Sequence, residues 1–183
     1  MRKGRGKKAK LCYAAHALME NRNGLLVDLN VSSATGKAEE EAAQEMLKRQ
    51  ARRGVKPKTL SADKGYDRTE FVGMLRARKI TPHVAANRER RGGSAIDGRT
   101  MRHRWYSLSQ RVRKRVEEIF GWMKTTGGFR KTRFKGFRKT KLAAWLVRAA
   151  YDFLGMAKLL REGAEALQPA PIKGIYSFGL PLL

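Results

Sequence analysis

The apolar positions of the chain change their period several times, and each change marks an element. From Leu11 to Met19 they run almost uninterrupted (LCYAAHALM), as in a strand buried on both faces. Asn21-Arg22-Asn23-Gly24 then supplies turn chemistry, and Leu25 to Ser33 (LLVDLNVSS) reads as the second strand of a hairpin. Between Lys37 and Arg53 the spacing becomes helical, with Ala42, Met46 and Leu47 on one face. Glu39, Glu40 and Glu41 open this helix and Lys48, Arg49, Arg52 and Arg53 close it, each sign at the end of the helix dipole that favours it. Gly54 stops it, and Pro57 punctuates the entry to a short strand, Lys58 to Ala62, which delivers Asp63 into ADKGYD. Asp67 reads as the N-cap of a helix over Arg68 to Arg78. Ile80 to Ala86, interrupted by Pro82, reads as an edge strand.

The second half is organised by a longer helical pattern. Asn87 to Arg104 carries Arg88, Arg90, Arg91, Arg99, Arg102 and Arg104 around Gly92-Gly93 and Gly98, which predicts a mobile basic loop. Arg111 to Lys124 (RVRKRVEEIFGWMK) then separates cleanly at about 100° per residue. Val112, Val116, Ile119, Phe120 and Met123 form one stripe, while Arg113, Glu117 and Lys124 stack on a second line at its edge and Glu118 points to solvent. From Gly127 to Lys141, Phe129, Phe134 and Phe137 alternate with Arg130, Lys131, Arg133, Lys135, Arg138, Lys139 and Lys141. Rings docked on the core with cations outward would make a phosphate-binding strip; a plain solvated face is the other reading. Leu142 to Leu160 predicts a core-closing helix, and Glu162 onward, with Pro169, Pro171 and Pro181, a loose tail.

Charge narrows the function classes. A net charge of +25, from 41 Lys and Arg against 16 Asp and Glu in 183 residues, repels itself without a polyanionic partner, and points to nucleic acid before an anionic membrane. No apolar run reaches spanning length, and the basic arm Met1 to Lys10 is followed by no signal-type block, which removes the membrane reading; the single cysteine fits a reduced cytoplasmic setting. Cys12 alone excludes an intrachain disulfide and a cysteine-based zinc site.

The candidate chemistry is carboxylate chemistry. Asp63 stands where α/β sheets place reactive groups, at the C-terminal end of a strand, although Asp-Lys-Gly also favours a simple turn. Glu117, with a cation one turn before it and another two turns after, can be held and still reach a phosphate or a metal; ordinary ion pairing on a surface helix is the bland account. Asp28 is either an edge carboxylate or part of an acidic site, and His16 reads as a packed core histidine because no second ligand lies at suitable spacing.

ALMENRNGLLVD, then ADKGYD, then RVRKRVEEIFGWMKTTGGFRKTRFKG followed by an apolar helix, together resemble the C-terminal part of DDE-type bacterial insertion-sequence transposases, within the insertion-sequence 4/5-like group. The resemblance covers roughly residues 5 to 161. It implies an α/β fold, a ribonuclease H-like mixed sheet flanked by helices, and a three-carboxylate site holding Mg²⁺ or Mn²⁺. Asp63 matches the second Asp of that site and Glu117 its Glu, with Arg113 and Lys124 at the signature's Arg and Lys positions. The signature's Tyr position falls on Gln110, a departure.

The family's first catalytic Asp lies on an opening strand before the hairpin, so the resemblance implies residues 11–161 to be a partial catalytic domain lacking its central strand, between a basic arm at 1–10 and a loose tail at 162–183. Two unpaired strand edges should then face a gap. The expected function is a piece of a DNA transposase, metal-dependent in strand cleavage and transfer, and inactive alone without the first Asp. Metal is expected only with a complete triad. Expected partners are DNA at insertion-sequence ends, contacted by Arg88, Arg90, Arg91, Arg130, Lys131, Arg133, Lys135 and Arg138, and an N-terminal transposase segment from a split reading frame; a homo-oligomer is compatible. The competing reading is a basic, non-catalytic nucleic-acid-binding protein whose carboxylates are structural.

Overall fold

The computed structural model describes residues 6, 12–35, 38–165 and 175–179, the last five by their backbone. The remainder of the basic arm and of the tail lies outside the described residues. The hairpin forms as the pattern predicts: β1 (Tyr13–Glu20) pairs antiparallel with β2 (Leu26–Ser33). Gly24 turns it at φ +74°, and the Glu20 carboxylate accepts the Asn23 N–H at 2.8 Å. α1 (Ala38–Arg52) follows and ends at Gly54, whose φ of +80° favours glycine. β3 (Thr59–Ala62), α2 (Thr69–Ala77) and β4 (Thr81–Val84) make a parallel β-α-β unit, with β4 at the sheet edge as Pro82 requires.

The sheet is mixed and five-stranded, in the order β2-β1-β5-β3-β4. β5 is Ile175–Gly179, from the segment expected to be a loose tail. It lies between β1, to which it is antiparallel, and β3, to which it is parallel. The expected gap is therefore filled. Backbone donors and acceptors exposed at two apolar edges would be costly, and β5 pairs with them along Ala17–Glu20 and Thr59–Ser61.

Each face of the sheet carries its own core. Leu18, Leu60 and Ala62 pack against Ala42, Ala43, Met46 and Leu47 of α1 and Phe71, Val72 and Leu75 of α2. On the other face Ala15, Ala17, Met19, Leu29 and Val31 meet Val116, Ile119, Phe120 and Met123. Alternation along β1 thus sends Ala15, Ala17 and Met19 one way and Leu18 the other, and strands buried on both faces explain the nearly continuous apolar run. His16 is buried, its Nε2 2.8 Å from Ser32 Oγ, and burial pushes its pKa down to about 4.

Two expectations about helices need correction. The pattern over Arg111–Lys124 is two helices, α4 (Arg104–Val112) and α5 (Arg115–Lys124), preceded by the short α3 (Gly98–Arg102) inside the stretch expected to be a loop. At Arg113-Lys114 the ladder tightens: Val116 N–H and Glu117 N–H bond three residues back, to Arg113 O and Lys114 O. The step is under one turn, so the sequence period carries across it. The final helix, α6 (Phe137–Glu165), closes the core only near its start, where Ala143 and Ala144 are buried. Farther along it is tied to edge strand β2, Asp152 accepting the Leu26 N–H at 2.8 Å and Arg148 donating to Leu26 O at 2.6 Å. Leu142, Leu146, Phe153, Met156 and Leu160 on this helix remain exposed.

Candidate active site at the end of β3

Asp63 follows the last residue of β3 and caps the single 3₁₀ turn Lys64–Tyr66: its Oδ1 accepts the Lys64 N–H at 2.7 Å and its carbonyl accepts the Tyr66 N–H. The turn reading of Asp63 is met, and the same turn sets the residue just beyond the end of the strand. Its side chain is 62% exposed, and Arg113 Nη1 reaches Oδ1 at 3.5 Å. Both contacts engage Oδ1.

Arg113 is held from the opposite side. Its Nε donates to Gln110 Oε1 at 3.0 Å, and Gln110 Nε2 donates to His83 O at 2.6 Å, at the end of β4. One turn earlier, Tyr106 Oη donates to Val84 O at 2.9 Å and accepts the Ala86 N–H at 3.2 Å, while Ser109 Oγ lies 2.6 Å from His83 Nδ1. Tyr106, Ser109, Gln110 and Arg113 thus form one helical face fastening α4 to β4. Gln110, where the resemblance expects a Tyr, is thus a structural partner of Arg113. Burial, and then His103, push the His83 pKa down to about 4, so this histidine is neutral at physiological pH.

Glu117 lies on the next turn after Arg113, in the exposed first turn of α5, and Lys124 closes the same helix half-buried. Glu118 is also exposed and adds its charge to the surroundings of Tyr151 on α6, a different neighbourhood. Arg115 fixes the start of α5 by donating to Asn21 O at 2.8 Å and Arg22 O at 2.9 Å in the hairpin turn. Arg113, which ends α4 one turn before Glu117, is the residue through which this stretch contacts Asp63. Among the described residues no three His, Cys, Asp or Glu side chains converge on one point.

Sequence reasoning missed two carboxylates near this site. Glu39 was assigned to the helix dipole; burial first, and then the charge of Asp63, raise its pKa, so it shares the electrostatic surroundings of Asp63. Asp67 was assigned to an N-cap, but the cap of α2 is Arg68, without a side-chain bond. Asp67 is buried and its carboxylate accepts the Asn87 N–H at 2.7 Å and the Ala95 N–H at 2.9 Å, while Arg90 donates to its carbonyl at 2.7 Å. The stretch expected to be a mobile basic loop is therefore pinned to Asp67 at its start, Asn87, and again at Ala95. Local sequence cannot signal this, because both acceptor contacts span twenty residues or more.

Asp28 stands on the edge strand β2, as one of its two sequence readings has it, yet its side chain is turned inward. It is fully buried under α1, accepting Arg49 Nε at 3.0 Å, Gln50 Nε2 at 3.1 Å and the Leu29 N–H at 2.8 Å. The candidate DNA-binding residues Arg88, Arg90, Arg91, Arg130, Lys131, Arg133, Lys135 and Arg138 are all exposed, and none enters an ion pair among the described residues. Of the three rings in the strip only Phe129 is buried; Phe134 is 48% exposed and Phe137 packs against Tyr13 at 5.6 Å between centroids. Gly127 brings the strip down close to the helices: a Cβ there would meet Val147 Cγ1 at 2.7 Å and the Met123 carbonyl at 3.0 Å.

The model of the transposase DDE domain family matches residues 2–153. The chain belongs to this family. No curated protein and no solved structure matches it. A mixed sheet with helices on both faces agrees with the ribonuclease H-like fold of these transposases, and no helix among the described residues is long and apolar enough to cross a membrane. DDE transposases act on DNA and use divalent metal ions, and the oxygen donors of Asp63 and Glu117 are of the kind Mg²⁺ and Mn²⁺ prefer.

Proposed function

We propose that this transposase domain carries two of the three metal-binding carboxylates of a DNA strand-cleaving and strand-transferring site, Asp63 and Glu117, with Arg113 and Lys124 as their cationic partners. The observation that supports it most is the Arg113–Asp63 contact, which joins the two separated sequence motifs across the end of β3. A divalent ion bound by these carboxylates would activate the attacking oxygen and stabilise the leaving one on a phosphodiester. In this reading Arg113 orients Asp63, itself oriented by Gln110, and Lys124 meets a backbone phosphate two turns beyond Glu117. Two carboxylates are too few to clamp a metal pair, so the 183 residues alone bind DNA without cutting it, and a strand bearing the first Asp completes the site.

DNA enters over the exposed cations. The pinned loop with Arg88, Arg90 and Arg91 and the strip with Arg130, Lys131, Arg133, Lys135 and Arg138 offer phosphate contacts that release counterions and carry little sequence information. Fluorescence anisotropy on random-sequence duplexes tests this. Log affinity should fall linearly with log salt, and replacing Arg130, Lys131 and Arg133 by Gln should flatten the slope by about 3. Binding insensitive to salt, or an unchanged slope, would contradict the reading.

A further inference from the structure

The only strand that joins the two halves of the described sheet is the last one in the chain. β1 with β2 forms one self-paired half and β3 with β4 the other, and each half pairs with β5 alone across the middle. Ile175, Tyr176 and Ser177 pair in parallel with Thr59, Leu60 and Ser61; Tyr176 to Gly179 pair antiparallel with Glu20 back to Ala17. Such a central strand is ordinarily the most firmly embedded in a sheet. Here it is five residues long, and 173–183 (KGIYSFGLPLL) contains no carboxylate.

Register gives the slot a second property. Ser177, opposite Ser61, is the last residue of β5 paired with β3; continued two residues farther, that register brings Gly179 level with Asp63. The sheet position adjacent to Asp63, where a carboxylate could share a metal with it, is occupied by a glycine.

We infer that β5 is a self-complementing strand, holding a slot that an outside strand of the same direction can enter, and that the incoming strand places a carboxylate at the level of Gly179. This deepens the proposed function, on which its second clause rests: β5 keeps the two halves joined and the site switched off until it is exchanged. The slot imposes direction, parallel to β3 and antiparallel to β1, and takes an apolar segment, because both faces of the sheet are covered by helices.

The full-length chain tests it directly. Tyr176→Pro removes a ladder donor from β5 and should lower the melting temperature by several degrees; a synthetic peptide of residues 173–181 added in excess should restore most of the loss, and the same peptide with Pro at position 176 should not. No recovery with the unmodified peptide overturns the inference. If Tyr176→Pro does not fold, hydrogen exchange on the unaltered chain decides: the β5 amides should open at least tenfold more often than those of β1 paired only with β2, and equal protection overturns it. Gly179→Asp tests the second clause. Mn²⁺ affinity, read by electron paramagnetic resonance, should rise at least tenfold over the unaltered chain, fall back on adding Asp63→Asn, and not rise in Phe178→Asp, which sits on the other face by alternation. Peptide rescue without a Mn²⁺ gain would leave the exchangeable strand standing and overturn the carboxylate clause together with the metal reading of Asp63.

Discussion

Arg113 Nη1 stands 3.5 Å from Asp63 Oδ1, bridging the step between two helices and the end of β3, whereas Arg49 grips Asp28 through Nε at 3.0 Å in the interior. The two pairs look alike in sequence, a basic residue and an Asp far apart, but their surroundings differ. The Asp28 side chain has no exposure and that of Asp63 is 62% exposed.

Stability should therefore separate the two carboxylates. Asp28→Ala removes a fully buried acceptor shared by Arg49 and Gln50, leaves Arg49 only its Glu45 contact, and should cost about 3 kcal/mol. Asp63→Ala removes a solvent-screened pair and one turn hydrogen bond and should cost at most about 1 kcal/mol. Urea denaturation of both variants checks this. Equal losses would mean that Asp63 is held for the fold.

The two buried histidines set a pH dependence. The pKa values of His16 and His83 lie at about 4 in the folded chain, below the ordinary 6.5, so folding excludes their protonated forms. Their neutral state favours the fold fully above pH 6.5; as pH falls toward 4 the unfolded chain takes up protons that the folded one refuses. Each should cost on the order of 1–2 kcal/mol by pH 5. Urea midpoints at pH 7.5 and pH 5 should differ accordingly, and a flat profile would contradict the burial of both rings.

Asp67 should control the basic loop. Asp67→Ala removes the acceptor for the Asn87 and Ala95 amides and should release the arginines between them. Tryptic cleavage after Arg88, Arg90 or Arg91 should accelerate about tenfold or more, since proteolysis follows local opening. Unchanged cleavage would mean that the loop is held by other contacts.

Much of this architecture was legible from period and punctuation. The hairpin, α1, α2 and the edge position of β4 follow from apolar spacing, the Asn-Gly turn, Gly54 and Pro82, all local signals. What escaped was set by distance or by partners. Asp67 has the right residue type for a cap, yet its amides come from Asn87 and Ala95. The step at Arg113-Lys114 preserves the apolar stripe, so periodicity runs through it. The apolar face of α6 was visible, but amphipathicity does not say whether anything covers it, and Leu146 and Phe153 are 64% and 67% exposed. Ile175–Gly179, short and bounded by glycines, becomes a strand only because β1 and β3 stand ready to pair with it. At the site, Asp63 and Arg113 were legible as motif residues, while Glu39 and the bracing by Gln110 needed the folded arrangement.

The exposed stripe on α6 predicts where substitution is cheap. Leu146→Glu and Phe153→Glu should each change the melting temperature by no more than about 2 °C, because both side chains stay mostly in water in the folded chain. Losses of the size seen for core residues would show that the stripe is covered in solution.

The central claim is that Asp63 and Glu117, from distant parts of the sequence, serve one metal-binding site, and Mn²⁺ titration followed by amide NMR tests it most directly. In Gly179→Asp, which supplies a third carboxylate, the amides of Lys64 and Gly65 and those of Glu117 and Glu118 should broaden together at low Mn²⁺, ahead of those around Asp28 and Glu162, and adding Asp63→Asn should abolish both sets at once. Broadening at one set alone, or persistence of the Glu117 set once Asp63→Asn is added, would contradict the shared site.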